Sequence, residues 1–261
     1  MIAASSFSWR FWRVWQRNVI VYRRIWKVNF LVPLFEPAFY ILAFGLGFRQ
    51  MIGDVSYAGA TLSYTEFIAP ALVATSVMWN AFFETTYSSF VRMYYQKTFD
   101  AMLATPLSLE EIIVAEIAWS ATKAAAAALL MLLVLMLLGY VVFPLGLLAV
   151  IWAFLGGLAF GAIGMYFTGI VPTIDLFNLP IFLFITPMFL FSGTFFPVSG
   201  LPGWAQDVSL AFPLYHLVEL TRLVSLGRSE ATVLFSIAYL LLFSLFFIFL
   251  SLHYMRKKLI K

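Results

Sequence analysis

The sequence contains no cysteine and few charged residues. The absence of cysteine excludes a disulfide framework, a thiolate metal site and a cysteine nucleophile. Only 11% of the 261 residues are charged, against roughly 25% in ordinary soluble domains, and this excludes a water-soluble fold. The two histidines form no cluster with carboxylates in the sequence, so no metal site is expected.

Apolar residues dominate instead, at 63% of the chain with 19% aromatic and a mean hydropathy of +0.97. Long apolar runs are plentiful, whereas the alternating segments of about ten residues that mark an outer-membrane barrel are missing. The sequence therefore predicts an all-α polytopic membrane protein.

Breaks in the apolar runs divide the chain into six predicted spans. These are about 30–48, 67–90, 112–139, 145–171, 176–197 and 232–254, with a cytoplasmic loop at 91–111 and an external hairpin at 198–231. Six Lys or Arg precede residue 28 and four more follow residue 255. By the positive-inside rule both termini are cytoplasmic, which agrees with an even number of spans. We also expect no cleavable signal peptide.

The predicted domains are a cytoplasmic amphipathic interface helix at 1–28 and a transmembrane domain at 29–261. Over residues 9–27, aromatic and basic positions fall on opposite faces of a helix, the pattern of a helix in the membrane interface. Its basic face comprises Arg10, Arg13, Arg17, Arg24 and Lys27. This helix either anchors the topology alone or also rests against a cytoplasmic partner.

Proline and glycine interrupt the apolar stretch between the fifth and sixth spans, which leaves two short predicted helices at about 202–211 and 214–226. A re-entrant hairpin is favoured over a loop lying on the surface. His216, Glu219 and Arg222 share one face of the second helix, and local pairing is favoured there over a substrate or proton site.

In the loop 91–111, Ser108 and Glu111 form a predicted capping box that begins the third span. Pro106 separates it from a short helix at 98–104. The apolar side chains of that helix are Phe99, Met102 and Leu103. They need a surface to bury against, either the chain's own membrane domain or a soluble partner.

Placing an ionisable side chain inside a span costs about 2.5–3.5 kcal/mol of insertion free energy, so each such residue is expected to have a structural or functional role. These residues are Glu36, Glu84, Glu116 and Lys123. We predict that Lys123 pairs with Glu36 or Glu84, and a proton relay is the alternative.

The fifth span is rich in phenylalanine, which either lines a translocation path or faces lipid and core. The candidates for the path are Phe182, Phe189 and Phe195. Gly157, Gly161 and Gly164 lie on one face of the fourth span and predict close helix packing.

Several segments resemble the ABC type-2 exporter permeases. They are RMYYQKTFDAMLATPLSLEEIIVAE in the cytoplasmic loop, TPMFLFSGTFFPVSGLPGW at 186–204 and FPLYHLVELTRLVSLG at 212–227. The segments RNVIVYRRIWKVNFLVPLFEPAFYILAFGLG and FETTYSSFVRM are similar to the nodulation-factor (NodJ-like) lipo-oligosaccharide branch of that family. These motifs occur in the right order over essentially the whole chain.

The resemblance implies a half-transporter of the bacterial inner membrane that exports a lipid-linked or amphipathic glycan. It would pair with a second copy of itself and two copies of a cytoplasmic ABC ATPase, contact membrane lipid and bind no nucleic acid. ATP and Mg would bind the ATPase, and this chain would carry no cofactor and no catalytic residue. The coupling residues would be Phe99, Asp100, Ala101, Met102, Leu103, Ala104, Thr105 and Pro106, with a second cytoplasmic contact at Pro172–Asn178.

ATP hydrolysis is expected on a separate chain, because a phosphate-binding loop ends in Gly-Lys-Ser/Thr and no Gly-Lys pair occurs here. A drug or antibiotic exporter permease is the close alternative. An ion-coupled secondary transporter would use Glu36, Glu84 or Glu116 as proton carriers. A membrane transferase would need clustered histidines or carboxylates, which the sequence lacks.

Overall fold

The computed structural model of the chain is a bundle of helices with one small β-hairpin. It describes residues 8–40, 42–43, 53–57, 59–228 and 232–259. The α-helices are α1 (Phe11–Tyr40), α2 (Tyr64–Phe83), α3 (Thr98–Leu103), α4 (Leu109–Leu137), α5 (Ala149–Ile170), α6 (Asn178–Pro180), α7 (Thr186–Phe191), α8 (Gly203–Leu210), α9 (Pro213–Ser225) and α10 (Thr232–Leu259). Strand β1 (Val55–Tyr57) pairs antiparallel with strand β2 (Ala60–Leu62).

Five described helical segments are long and apolar enough to cross a membrane. They are Tyr64–Tyr95, Leu109–Leu137, Leu145–Ile170, Ile174–Phe191 and Thr232–Leu259. They correspond to the second to sixth predicted spans and confirm an all-α polytopic membrane protein. The first predicted span, 30–48, lies partly outside the described residues and stays a prediction.

Helix α1 is continuous across the boundary at which the sequence predicts an interface helix to end and the first span to begin. The residues around position 28 include no proline or glycine, so nothing in the local sequence breaks the helix. Its start packs along α4. Val14 and Asn18 are buried, and the rings of Trp15 and Tyr22 lie 6.4 and 5.5 Å from that of Trp119.

Helix α5 lies centrally in the bundle and packs against α2, α4, α9 and α10. Its glycines make these approaches close. A Cβ atom on Gly157 would lie 2.7 Å from the Cα atom of Ala121, and one on Gly164 would lie 2.9 Å from the carbonyl oxygen of Phe82. A Cβ on Gly161 would meet the side chain of Ser120. The structure thus confirms the predicted packing of small residues.

Helices α8 and α9 occupy the two positions predicted between the fifth and sixth spans. Helix α9 packs against α2, α5 and α10, and most of its side chains are buried, including His216 and Arg222. It is therefore part of the bundle core and not a loop on the bundle surface. Its depth relative to a membrane stays a prediction.

Candidate functional site at the basic end of the bundle

One end of the bundle gathers the segments that the sequence singles out. The start of α1, the end of the second span, the loop with α3 and the end of α10 meet there, and we call it the basic end. Arg256 lies 3.5 Å from Glu110, and Lys258 Nζ donates to the carbonyl oxygens of Thr168 and Val171 at 2.7 Å each. These contacts join distant parts of the chain.

Helix α3 is seated on the bundle by two side chains. Lys97, with φ 52°, is in the left-handed region and turns the chain from the second span into α3. Phe99 is 0% and Met102 9% exposed, and both belong to an apolar cluster that includes Val14 and Ile112. Of the two alternatives for this apolar face, burial against the chain's own membrane domain is the one that the structure shows.

The other predicted coupling residues lie toward the outside of the loop. Leu103 is partly buried, and the exposed ones are Asp100, Ala101, Ala104, Thr105 and Pro106. Asp100 lies 3.7 Å from Lys97, and both side chains are exposed. The helix therefore presents a small surface of two polar and three small apolar side chains.

The start of α1 is fastened to the same loop. Arg10 Nη1 donates to the carbonyl oxygen of Pro106 at 2.7 Å, and Ser8 Oγ donates to Glu111 Oε1 at 2.7 Å. The second oxygen of Glu111 accepts the backbone N–H of Ser108 at 2.9 Å, which completes the predicted capping box. The predicted basic face of α1 is thus partly used within the chain, whereas Arg13 and Arg24 are exposed.

A buried charge network lies beside this loop. Lys123 Nζ is 2.8 Å from Glu84 Oε2, which confirms the predicted pairing of Lys123 with Glu84. Arg92 lies between two carboxylates: its Nη1 is 2.9 Å from Glu84 Oε1, and its Nε is 3.0 Å from Glu116 Oε2. The side chain of Glu36 lies outside the described part of the chain.

Neutral donors complete the network. Glu116, 0% exposed, accepts from Asn18 Nδ2 at 2.9 Å and from Ser89 Oγ at 2.6 Å. Glu84 accepts from Trp119 Nε1 at 3.1 Å. Each carboxylate is therefore paired with a cation and accepts hydrogen bonds at both oxygens. Buried charges are stable in a protein interior when they are paired and hydrogen-bonded in this way. This arrangement gives the proton relay no support.

Sequence reasoning missed Arg92 as the central cation of the network. The sequence predicts that the second span ends at residue 90, which places Arg92 in the following loop. In the structure, π-helical turns at Glu84–Ser88 and Val91–Tyr95 continue this helix to Tyr95. The available signal was the separation of Arg92 from Glu84 by about two helical turns.

At the opposite end, Arg222 is fully buried and bonded within the chain. Its Nε donates to the carbonyl oxygen of Phe67 at 3.1 Å, and its Nη2 to that of Gly193 at 2.8 Å. Nη1 lies 3.3 Å from Glu219, which confirms the predicted local pairing. Tyr57 Oη donates to Glu219 Oε2 at 2.6 Å. Burial, and then the charge of Glu219, raises the pKa of Tyr57, so this phenol remains a donor.

His216 is also bonded within the fold. Nε2 lies 2.9 Å from the carbonyl oxygen of Leu210, and Nδ1 lies 3.1 Å from Ser236 Oγ. Burial lowers the pKa of His216, which favours the neutral ring. We assign the proton to Nε2, since the Leu210 carbonyl can only accept.

The three candidate path residues do not come together. Phe189 and Phe195 pack edge to face with ring centroids 5.0 Å apart, whereas Phe182 is 69% exposed on the outside of the bundle. Lining of a path stays a prediction. Among the residues that the structure describes, no group of three or more His, Asp or Glu could hold a metal ion.

Helical spans and internally paired charges define a multi-pass membrane protein. The ABC-2 type transporter family matches residues 10–226, and the chain belongs to that family. This membership confirms the resemblance to type-2 exporter permeases.

Relatives match over nearly the full chain. Nodulation protein J of Rhizobium leguminosarum bv. trifolii is 38% identical, with 100% of this chain and 97% of the relative covered. Nodulation protein J of Rhizobium meliloti (strain 1021) is 34% identical over 98% and 97%. The inner membrane transport permease YadH of Escherichia coli (strain K12) is 24% identical over 88% of each chain. The resemblance to the nodulation branch is thus confirmed.

Proposed function

We propose that this chain is the permease subunit of an ATP-driven exporter in the bacterial inner membrane, with both termini cytoplasmic. Two copies of it would work with two copies of a cytoplasmic ABC ATPase, which binds ATP and Mg. The cargo would be a lipid-linked or amphipathic glycan of the lipo-oligosaccharide kind. Family membership and the full-length relatives called nodulation protein J support this proposal.

Helix α3 is the observation that carries the proposal. Its buried residues Phe99 and Met102 fix it to the bundle, while Asp100, Ala101 and Ala104 face outward. A helix that is firmly seated and exposed on one side can receive a push from a soluble partner and pass it into the bundle. No covalent chemistry is required of this chain.

The segment Pro172–Asn178 likewise combines a buried side chain with exposed ones. Phe177 is buried and its ring lies 5.5 Å from that of Phe90, while Thr173 and Asp175 are exposed. It is suited to be the second contact with the ATPase, because an aromatic anchor holds it and its polar side chains stay accessible.

Co-purification and a charge reversal test the proposal. The chain is purified from its native host to identify the ATP-binding subunit that accompanies it, and the complex is reconstituted into vesicles. Asp100→Lys should leave ATP hydrolysis largely intact and abolish most transport, since a reversed charge at the contact mispairs the partners. Asp207→Lys, on the exposed side of α8 at the opposite end, is the matched control and should transport as the wild type does.

Equal transport by the two variants would contradict the role of α3. Failure of any ATP-binding subunit to co-purify, with transport that follows a proton gradient, would favour an ion-coupled secondary transporter. Stimulation of ATP hydrolysis by amphipathic drugs, and not by a lipid-linked oligosaccharide, would instead indicate a drug exporter.

A further inference from the structure

A cavity of about 440 Å³ opens beside the buried charge network. Helix α1, the π-helical end of the second span and α4 form its walls, and Arg17, Arg92 and Lys123 all line it. This volume lies in the range of small-molecule sites, about 300–1,000 Å³. Three cations from three helices therefore face one partly open space.

The charges around this cavity do not balance. Arg17, Arg92 and Lys123 line the cavity with one carboxylate, Glu84, and Glu116 is bonded to Arg92, so these five side chains carry one positive charge in excess. Asp175, whose charge acts on the lining residue Tyr87, is exposed to solvent and does not line the cavity. Glu36 cannot compensate, because it lies 19 residues beyond Arg17 on the same helix, about 28 Å away at 1.5 Å per residue. An excess positive charge in a partly buried pocket favours an anionic ligand.

Two of the cations retain unused donors. Lys123 Nζ has three hydrogens, and its hydrogen bond in the described structure is to Glu84. Arg17 is half-buried and donates from Nη1 to Asn18 Oδ1 at 2.9 Å, which leaves most of its five N–H groups available. Arg92, by contrast, is occupied by both carboxylates and by Ser89. The anion would therefore be held by Arg17 and Lys123.

The apolar part of the cavity wall indicates what the anion is attached to. Val21 and Ile25 also line the cavity, and they are 48% and 54% exposed. They follow Arg17 by one and two turns along α1, toward the predicted first span. This arrangement matches a lipid, because the charged pocket fits an anionic headgroup and the apolar side chains toward the membrane fit its acyl chains. A free anion would not contact these apolar side chains.

We propose that this cavity binds the phosphate of an anionic glycerophospholipid. Arg17 and Lys123 donate to the phosphate oxygens, and Val21 and Ile25 contact the acyl chain. The bound lipid joins α1 to the second span and to α4. This site is separate from the exposed surface of α3 on which the proposed function depends, so either proposal can fail without the other.

Titration of the purified full-length chain in neutral detergent tests this site. The probes are short-chain phosphatidylglycerol, short-chain phosphatidylcholine and inorganic phosphate, and native mass spectrometry measures the bound lipid. Phosphatidylglycerol should bind saturably and more tightly than the other two. Arg17→Gln should weaken it about tenfold or more, since tenfold is the lower end of what a charge-assisted hydrogen bond contributes.

Arg24→Gln is the matched control, since Arg24 is exposed on the same helix and does not line the cavity. Its affinity should stay that of the wild type. Val21→Trp fills the cavity without changing charge and should also weaken binding, so it decides the question if Arg17→Gln does not fold. Equal losses in Arg17→Gln and Arg24→Gln, or wild-type affinity in Val21→Trp, would overturn the site. Binding of inorganic phosphate as tight as that of phosphatidylglycerol would overturn the assignment to a lipid.

Discussion

Replacing Arg92 with methionine should destabilise the fold more than the same change at Lys123. Without Lys123, the carboxylates of Glu84 and Glu116 both keep Arg92 as a cationic partner. Without Arg92, Glu84 keeps Lys123, but Glu116 keeps only the neutral donors Asn18 and Ser89 among the described residues. A fully buried carboxylate would then have no hydrogen-bonded cation, and Arg17, whose charge acts on Glu116 without a direct bond, would be its remaining cationic neighbour among the described residues.

The expected magnitudes follow from this difference. Breaking a buried ion pair on one side costs about 3–5 kcal/mol, which we assign to Arg92→Met. Lys123 is 22% exposed and leaves Glu84 paired, so Lys123→Met should cost about 1.5–3 kcal/mol, the worth of one hydrogen bond to a charged group. Adding Glu116→Gln to Arg92→Met removes the orphaned charge and should restore about 2 kcal/mol.

Denaturant unfolding in mixed micelles, followed by tryptophan fluorescence, measures these free energies. Arg24→Met is the control, because Arg24 is exposed and an exposed substitution usually changes stability by less than about 0.5 kcal/mol. The reasoning is refuted if Arg92→Met is as stable as Arg24→Met. It is refuted equally if Glu116→Gln lowers the stability of Arg92→Met still further.

Two further predictions concern packing and pH. Gly157→Ala should cost about 1–3 kcal/mol of unfolding free energy, since its Cβ would lie 2.7 Å from the Cα atom of Ala121. Gly200→Ala is the control and should be nearly neutral, because a Cβ there meets nothing within 4 Å. Equal stability of the two variants would contradict close packing at Gly157. Because burial lowers the pKa of His216, the unfolded chain binds the proton more readily, so stability should fall as the pH drops below about 6.5, by at most about 1.4 kcal/mol per pH unit. Thermal unfolding at pH 7.5 and 5.5 should show a larger loss in the wild type than in His216→Gln, and equal losses would exclude His216 as the cause.

Local signals made much of the fold predictable from sequence. Apolar runs and the breaks at proline and glycine placed five spans, and both helices of the predicted external hairpin, close to their observed ends. The capping box at Ser108 and Glu111 needed only a spacing of three residues. The pairing of Lys123 was predictable because few charged partners exist in so apolar a chain.

What escaped prediction depends on non-local geometry. Besides the predicted partner Glu219, Arg222 donates to the carbonyl groups of Phe67 and Gly193, which lie 155 and 29 residues away in the chain. No residue pattern marks a backbone acceptor. Arg92 escaped because the helix continues past Phe90 through π-helical turns, which shift the face on which each following side chain lies. The sequence does not predict the continuity of α1, because the change in polarity near residue 28 indicates a helix boundary. A helix ends where backbone preferences change, and polarity alone does not break it.

The contacts at the basic end explain how a small movement of α3 would reach the whole bundle. Phe99 and Val14 share one buried apolar cluster, and Arg10 bonds to Pro106 just beyond α3. Five residues before Lys97, Arg92 bridges the second span to α4 through its two carboxylates. Because a close-packed interior does not absorb displacement locally, a push on α3 would move α1, α4 and the second span together. In the proposed exporter, these shared contacts would transmit movement from the ATPase to the membrane helices without a separate coupling domain.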